Sequence, residues 1–213
     1  MRLYHHPMSS NSRRAVMTAA HLGLLDETLP EDRRVDLVLV DLSKGAQRKP
    51  EFLAMNVSGK VPVLDDGGFF LPESHAIMQY LALKTPGQTL YPTELRPRAE
   101  VDRWLFWSAH QLSPAVGILN WERVVKGFLG QGAPEPVLEK KGEGMFVEAT
   151  RALEAHLGKR EWVTQDRLTL ADLAIAAPLM SLESARLPLV DCPRVVAWFD
   201  RVKALDAWKR TSL

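Results

Sequence analysis

Two stretches of this chain combine side chains and backbone suited to holding and activating a ligand. In the first, Gly59-Lys60-Val61-Pro62-Val63-Leu64 leads through Asp66-Gly67 to Phe69-Phe70-Leu71-Pro72-Glu73-Ser74. Proline has no amide hydrogen to give a central strand, so Pro62 is expected to start a strand, lie on an edge or form a cis bond. The flanking backbone then stays available, and the Val61 amide and carbonyl can bond an extended peptide as an added strand would. Asp-Gly favours a tight hairpin turn, which brings the chain back and sets Ser74 near Val61. Ile77, Tyr80, Leu81 and Lys84 then share one helical face. The amides opening that helix are unpaired donors with partial positive charge, suited to a carboxylate. The Ser74 hydroxyl can bond the same carboxylate and Glu73 an ammonium group beside it, which together fit an α-amino acid head group. The architectural alternative is that Ser74 caps its helix and Pro62 ends a strand.

The second stretch is Pro7-Met8-Ser9-Ser10-Asn11-Ser12-Arg13-Arg14, between the first strand and the first helix. Hydroxyls at a helix start can donate to an anion in the field of the helix end, and a bound thiol is the natural client. A free thiol titrates near 8.5, and such surroundings, with a cation such as Arg13 nearby, lower that to roughly 3.5 to 7.5. A ligand's thiol would thus become a nucleophile without any protein cysteine. The alternative is an ordinary serine cap. Other chemistries lack their motifs: no G-x-S-x-G elbow, no phosphate loop and no C-x-x-C occurs. His5-His6 has no further ligands at metal spacing, so a solvated strand pair is expected there and no metal site.

The elements that must position these residues fall into two halves. A strand at Arg2 to His5, a helix from about Ser12 to Leu22 stopped by Gly23 and a β-branched strand at Val35 to Val40 form a βαβ unit. With the hairpin and the Tyr80 helix, the order implies a small mixed sheet. Thr85-Pro86-Gly87-Gln88-Thr89-Leu90-Tyr91-Pro92 is rich in breakers and reads as a linker. The rest is helical, with Val101, Trp104, Leu105, Ser108 and Leu112 on one face and Phe146, Ala149, Leu153 and Leu157 on another. Thr169-Leu170-Ala171-Asp172 spaces a hydroxyl and a carboxylate for reciprocal capping, a folding device. Pro193 marks the last helix, with Trp198 in the core.

With 213 residues, 46% hydrophobic and 25% charged, the chain has the profile of one globular domain or two small ones. The net charge of +1 gives no basic surface for nucleic acid or anionic membrane, and no apolar run approaches a membrane span. The single Cys192 excludes an internal disulfide, and a cytoplasmic location is expected.

The signatures Pro7 to Arg13, Gly59-Lys60-Val61-Pro62 with Glu73-Ser74-His75-Ala76-Ile77, and Thr169-Leu170-Ala171-Asp172, in this order and spacing, resemble those of the cytosolic glutathione S-transferases. The resemblance covers essentially the whole chain. It implies a thioredoxin-like α/β domain over 1–83, a linker over 84–97, an all-α domain over 98–213 with a hydrophobic co-substrate site, and a homodimer. Lys49-Pro50-Glu51-Phe52 with Asn56 is similar to the stretch before the cis-proline of serine-type members. By resemblance, Val61 would bond the cysteinyl backbone of glutathione beside a cis Pro62. Glu73 and Ser74 would take its γ-glutamyl amino and carboxylate groups. Ser9 aligns with the catalytic serine of delta- and theta-like members; Ser10, where beta-class enzymes carry a cysteine and zeta-class ones a serine run, is the second choice. His110 falls where beta-class members reach glutathione with a histidine. Lys44, Gln47 and Lys60 are candidates for the glycyl carboxylate, with Lys60 nearest the motif. Trp107, Pro114 and Ile118, among Trp104, Phe106 and Trp121, would supply the acceptor surface. The implied activity is a detoxifying transfer of glutathione, as co-substrate and with no metal, to a small hydrophobic electrophile. Isomerase, dehalogenase, ether-cleaving and purely ligand-binding roles stay open, and the class is unassigned because neither the beta cysteine nor an alpha, mu or pi tyrosine is present.

Overall fold

The computed structural model describes residues 1–164 and 166–211. They form two compact units, Met1–Tyr91 together with the chain from Ala204 onward, and Pro92–Lys203.

The first unit is built on a four-stranded sheet of order β2-β1-β3-β4, with β1 at Arg2–His5, β2 at Asp36–Leu39, β3 at Val63–Asp66 and β4 at Phe69–Pro72. β1 runs parallel to β2 and antiparallel to β3, which pairs antiparallel with β4. Alternation along the strands sends residues to opposite faces. On one face Leu3 and Leu64 pack with Ala15, Ala19, Ile77 and Leu81 of α1 (Ser10–His21) and α3 (Ser74–Lys84). On the other, Val63, Val61 and Val40 cluster with Phe52 of α2 (Pro50–Met55), and Tyr4 packs against them. The β3–β4 turn is Gly67-Gly68, both with positive φ, as a two-residue hairpin requires. The turn therefore sits one residue later than Asp66-Gly67. Asp66 instead latches the hairpin to α3, accepting from the Tyr80 hydroxyl at 2.6 Å and from the Lys84 ammonium. These two donors hold the Asp66 carboxyl below its ordinary range.

Pro62 precedes β3 through a cis Val61–Pro62 bond. β3 is an inner strand, not an edge, and it starts at Val63, so of the alternatives expected for Pro62 the structure has the cis bond. The helix α1 begins at Ser10, two residues earlier than expected, because Ser9 takes the cap position.

In the second unit, α4 (Leu95–Trp107) continues through a π-helical turn at Ser108–Leu112 into α5 (Ser113–Asn120), then through another at Trp121–Val125 into the short α6 (Lys126–Phe128). The long α7 (Pro136–Leu157) returns against α5, tightly at Gly142, where an added Cβ would lie 2.9 Å from Leu119 Cγ. Helix α8 (Leu170–Ala176), with a 3₁₀ turn after it, and α9 (Pro193–Ala204) complete the unit. The faces marked by Val101, Trp104, Leu105, Ser108 and Leu112, and by Phe146, Ala149, Leu153 and Leu157, are buried as their spacing predicts.

The capping box opens α8: the Asp172 carboxylate accepts from the Thr169 amide at 2.9 Å and the Thr169 hydroxyl at 3.1 Å. It also accepts from the Val163 amide and the Trp198 indole nitrogen, each at 2.9 Å. One carboxylate thus joins three segments. Burial pushes the Asp172 carboxyl above its ordinary range, against these four donors that favour its charged form. The loop before α7 is tied similarly, by buried Glu122 accepting from Lys126 and from the Glu135 amide, each at 2.8 Å.

Pro193 begins α9, but α9 is not the last helix. A short α10 follows at Asp206–Arg210, in the first unit, packed on α1. No helix among the described residues is long and apolar enough to cross a membrane.

Candidate active site

The sheet register brings the two singled-out stretches together. Tyr4 of β1 lies opposite Val63, and Val63 lies opposite Pro72. The end of β1, the start of β3 and the end of β4 therefore share one end of the sheet. Ser9 follows the first, Val61-Pro62 precedes the second, and Glu73-Ser74 follows the third.

At the first of these, Ser9 has extended dihedrals and its Oγ accepts from the Ser12 amide at 3.2 Å, a side-chain cap. A hydroxyl has two acceptor positions and one donor. The cap uses an acceptor and leaves the O–H to donate. Ser10 is the first helical residue, half-buried beside it. The turn before them is internally braced: the Ser9 amide donates to the His6 carbonyl at 3.0 Å, the Met8 amide to His6 Nδ1 at 3.2 Å, and the His6 amide to the buried Ser12 hydroxyl at 3.2 Å.

Arg13, expected as a nearby cation, is engaged at Trp208. Its guanidinium carbon stands 3.8 Å from the centre of the Trp208 ring and its Nη2 donates to the Trp208 carbonyl at 3.2 Å. Arg14 is deeper still, bonded to Asn11 Oδ1, and burial pushes it down to about 9. The helix start supplies a field at the Ser9 hydroxyl, and both arginines are engaged by protein groups.

Around Val61 the loop is shaped by buried Asn56. Its amide group donates to the Lys60 carbonyl at 2.8 Å, its Oδ1 accepts from the Ser58 amide at 3.1 Å, and its carbonyl from the Gly59 amide at 2.9 Å. Gly59 has φ of 58°, and a Cβ there would meet the Gln47 carbonyl at 2.9 Å, so only glycine fits. Gln47 therefore lies against this loop, and its side-chain oxygen is buried with no partner among the described residues. The Lys60 side chain is exposed, and Lys44 is exposed and paired with Asp41 at 3.3 Å.

At the third position the cap of α3 is Glu73, not Ser74. Glu73 has φ of 71° and ψ of 110°, with no side-chain cap bond, while Ser74 is the first helical residue and buried. A non-glycine residue with such dihedrals costs about 1–3 kcal/mol and persists where surroundings fix it, often at a ligand clamp. Here the strain leaves the Glu73 carboxylate exposed beside the buried Ser74 and the first amides of α3.

The second unit carries its own groove of about 440 Å³, whose lining includes Pro114, Ile118, Trp121 and Leu138. Three of the residues expected to meet a hydrophobic co-substrate, Pro114, Ile118 and Trp121, line it. Trp107 lies outside it, with its ring 4.9 Å from that of buried Trp104. His110 is exposed on the first π-helical turn and Trp121 opens the second. Such turns occur frequently at functional sites. Phe106 is also exposed.

Comparison with known proteins decides the family. Residues 3–89 match the family model "Glutathione S-transferase, N-terminal domain" and residues 135–201 match "Glutathione S-transferase, C-terminal domain". The chain belongs to the glutathione S-transferase family. The transferase is 34% identical over 215 residues to glutathione S-transferase F10 of Arabidopsis thaliana, across 97% of this chain and 94% of that protein. It is 36% identical over 173 residues to human glutathione S-transferase theta-2B, across 80% of this chain and 70% of that one. Among solved structures, glutathione transferase F7 from Populus trichocarpa superposes with a TM-score of 0.85 at 26% identity, covering 99% of this chain and 96% of the other. A glutathione S-transferase I solved with lactoylglutathione gives a TM-score of 0.84 at 26% identity, over 99% and 97% of the two chains. The fold of the transferase is accordingly a thioredoxin-like mixed-sheet domain followed by a helical one.

Asn56 and Gly59 are the positioning residues whose roles sequence reasoning did not assign. The Asn56-x-x-Gly59 spacing before the proline is the signal that could have found them, since asparagine side chains readily bond nearby backbone in loops.

Proposed function

We propose that the transferase binds glutathione along the shared end of the first unit's sheet and that the Ser9 hydroxyl donates to its thiolate. The observation carrying this reading is the convergence of the Ser9 cap, the cis Val61–Pro62 segment and strained Glu73 with buried Ser74. In this reading the Val61 backbone bonds the cysteinyl unit as an added strand would. Ser74 and the first amides of α3 take the γ-glutamyl carboxylate, and Glu73 takes its ammonium. Gln47 and Lys60, beside the same loop, serve the glycyl carboxylate, and His110 is a further glutathione contact. Ser9 is preferred to Ser10 because its cap bond fixes the oxygen while leaving its proton to donate.

The thiolate then attacks an electrophilic carbon of an apolar molecule held by the second unit, at Pro114 and Ile118 with Trp121. Holding both reactants in one geometry supplies much of the rate, and stabilising the thiolate supplies the rest.

Replacing Ser74 with alanine is expected to weaken glutathione binding by about 10- to 100-fold, the worth of a hydrogen bond to a charged group. Calorimetric titration of glutathione into the two proteins checks this, and equal affinities would remove Ser74 from the site. The transferase is also proposed to act as a homodimer. Light scattering is then expected to give about twice the 23.9 kDa of one chain, and a species of 23.9 kDa alone would contradict it.

A further inference from the structure

Met8, between Pro7 and Ser9, is an apolar side chain held out in solvent, 52% exposed. All seven methionines of the chain are among the described residues; Met17 and Met78 are fully buried, four others are partly buried, and Met8 alone is exposed. Its place is fixed by the backbone. The Met8 amide donates to His6 Nδ1 at 3.2 Å, and the next amide, that of Ser9, donates to the His6 carbonyl at 3.0 Å. The Ser9 side chain then caps α1. A polarizable thioether on a flexible, unbranched stem is thus tethered one residue from the Ser9 hydroxyl.

We propose that Met8 is a site of reversible oxidation by hydroperoxides, and that its sulfoxide weakens the hold on the electrophile. A lone pair of the Met8 sulfur attacks the outer oxygen of the hydroperoxide. The S–O bond forms as the O–O bond breaks, and the departing oxygen takes up the proton and leaves as an alcohol. The thioether is oxidised to the sulfoxide and the hydroperoxide is reduced. The one thiol of the chain does not compete: Cys192 is 3% exposed, and burial pushes it above its ordinary range, so little of it is the reactive thiolate.

The consequence for turnover rests on the reading in which Ser9 holds the thiolate. A carbon under attack lies about 3–3.5 Å from that sulfur, and the sulfur lies within a hydrogen bond of Ser9 Oγ. Consecutive Cα atoms are about 3.8 Å apart, so the Met8 side chain is within reach of the reacting end of the electrophile. As a thioether it offers a soft apolar surface; as a sulfoxide it offers a polar oxygen. Stripping water from that oxygen with no partner to replace it costs affinity. The proposed glutathione contacts at Val61, Glu73 and Ser74 come from other segments, so the hold on the electrophile alone should change.

The test treats the full chain, free of glutathione, with tert-butyl hydroperoxide, removes the oxidant and maps oxygen uptake by peptide mass spectrometry. Met8 is expected to gain one oxygen before any other residue. With benzyl chloride as electrophile, its KM is expected to rise about tenfold, the worth of an unpaired polar group in an apolar contact. Affinity for glutathione and the pH titration of its thiolate absorbance should not change. Methionine sulfoxide reductases for both epimers, with a dithiol as reductant, should restore mass and KM together. Met8→Gln, polar and of similar length, should show the raised KM without oxidant, and Met8→Leu, whatever its starting rate, should lose nothing further on treatment. First oxidation elsewhere, an unchanged KM in the oxidised protein, or an equal loss in Met8→Leu would each overturn the proposal. Absence of a thiolate signal in the untreated protein would instead overturn the Ser9 reading, and the effect on KM with it.

Discussion

Replacing Ser9 with glycine is expected to lower kcat/KM with glutathione and a reactive electrophile by about 10²- to 10³-fold, the effect of deleting one donor from a preorganised anion site. The choice of glycine separates two roles. Ser9 caps α1 through its bond from the Ser12 amide, so alanine would cost both cap and donor. Glycine at an N-cap costs only a few tenths of a kcal/mol, whereas alanine costs about 1 kcal/mol. If Ser9 served the helix alone, Ser9→Gly would be nearly silent in activity and Ser9→Ala would act through stability. If the hydroxyl holds the thiolate, both variants lose rate alike while only the alanine variant melts appreciably lower. The pH profile adds a second readout. A thiol lowered from about 8.5 is already ionised at neutral pH, so kcat/KM rises with pH through the depressed value and then levels. Without the donor, that rise should move upward by about one unit or more, since one unit is worth 1.36 kcal/mol of differential stabilisation. The same measurements on Ser10→Ala should show little change.

Asp172→Asn is expected to remove about 3–5 kcal/mol of stability, the range for breaking a buried charged network by changing one partner. Four donors point at this carboxylate: the Thr169 amide and hydroxyl, the Val163 amide and the Trp198 indole. An asparagine turns one of its two acceptors into a donor, which meets other donors head-on. The affected groups are buried, so water does not repair the loss. Set against a total stability of about 5–15 kcal/mol, such a change places the chain near its unfolding threshold. Thr169→Ala should cost far less, about 1 kcal/mol, because it removes a cap and leaves the Val163 and Trp198 bonds in place. Urea unfolding of the three proteins gives the comparison. A shift for Asp172→Asn no larger than that of Thr169→Ala would show that the network does not bind the segments together.

Much of this fold is written locally. The first strand, the hairpin flanked by apolar alternation, the buried helix faces and the Thr169-to-Asp172 box all follow from short-range patterns, and the structure has them where those patterns fall, with the hairpin turn one residue later. Other features depend on contacts that no window of sequence contains. Arg13 is engaged by Trp208, 195 residues later, which offers it a ring and a carbonyl. The helix carrying Trp208 is only five residues long, too short for a periodic signal. Helix α1 starts at Ser10 and not Ser12 because Ser9, Ser10, Asn11 and Ser12 are all good caps. Glu73 occupies a left-handed backbone position that local preference would give to glycine or asparagine. That last departure lies where the ligand reading needs it, as strain at a functional site would. Of the two π-helical turns, the first runs up to Pro114, which has no amide hydrogen to give a preceding carbonyl, and the second, at Trp121–Val125, contains no proline or glycine.

The central claim is that the Ser9 hydroxyl stabilises the thiolate of bound glutathione. Its most direct test is the ultraviolet thiolate absorbance of glutathione in the complex, titrated against pH for the wild-type protein and for Ser9→Ala and Ser10→Ala. The account predicts a wild-type thiol ionising well below its free value of about 8.5, displaced back toward that value by Ser9→Ala and left in place by Ser10→Ala. A bound thiol whose titration is the same in all three proteins would contradict it.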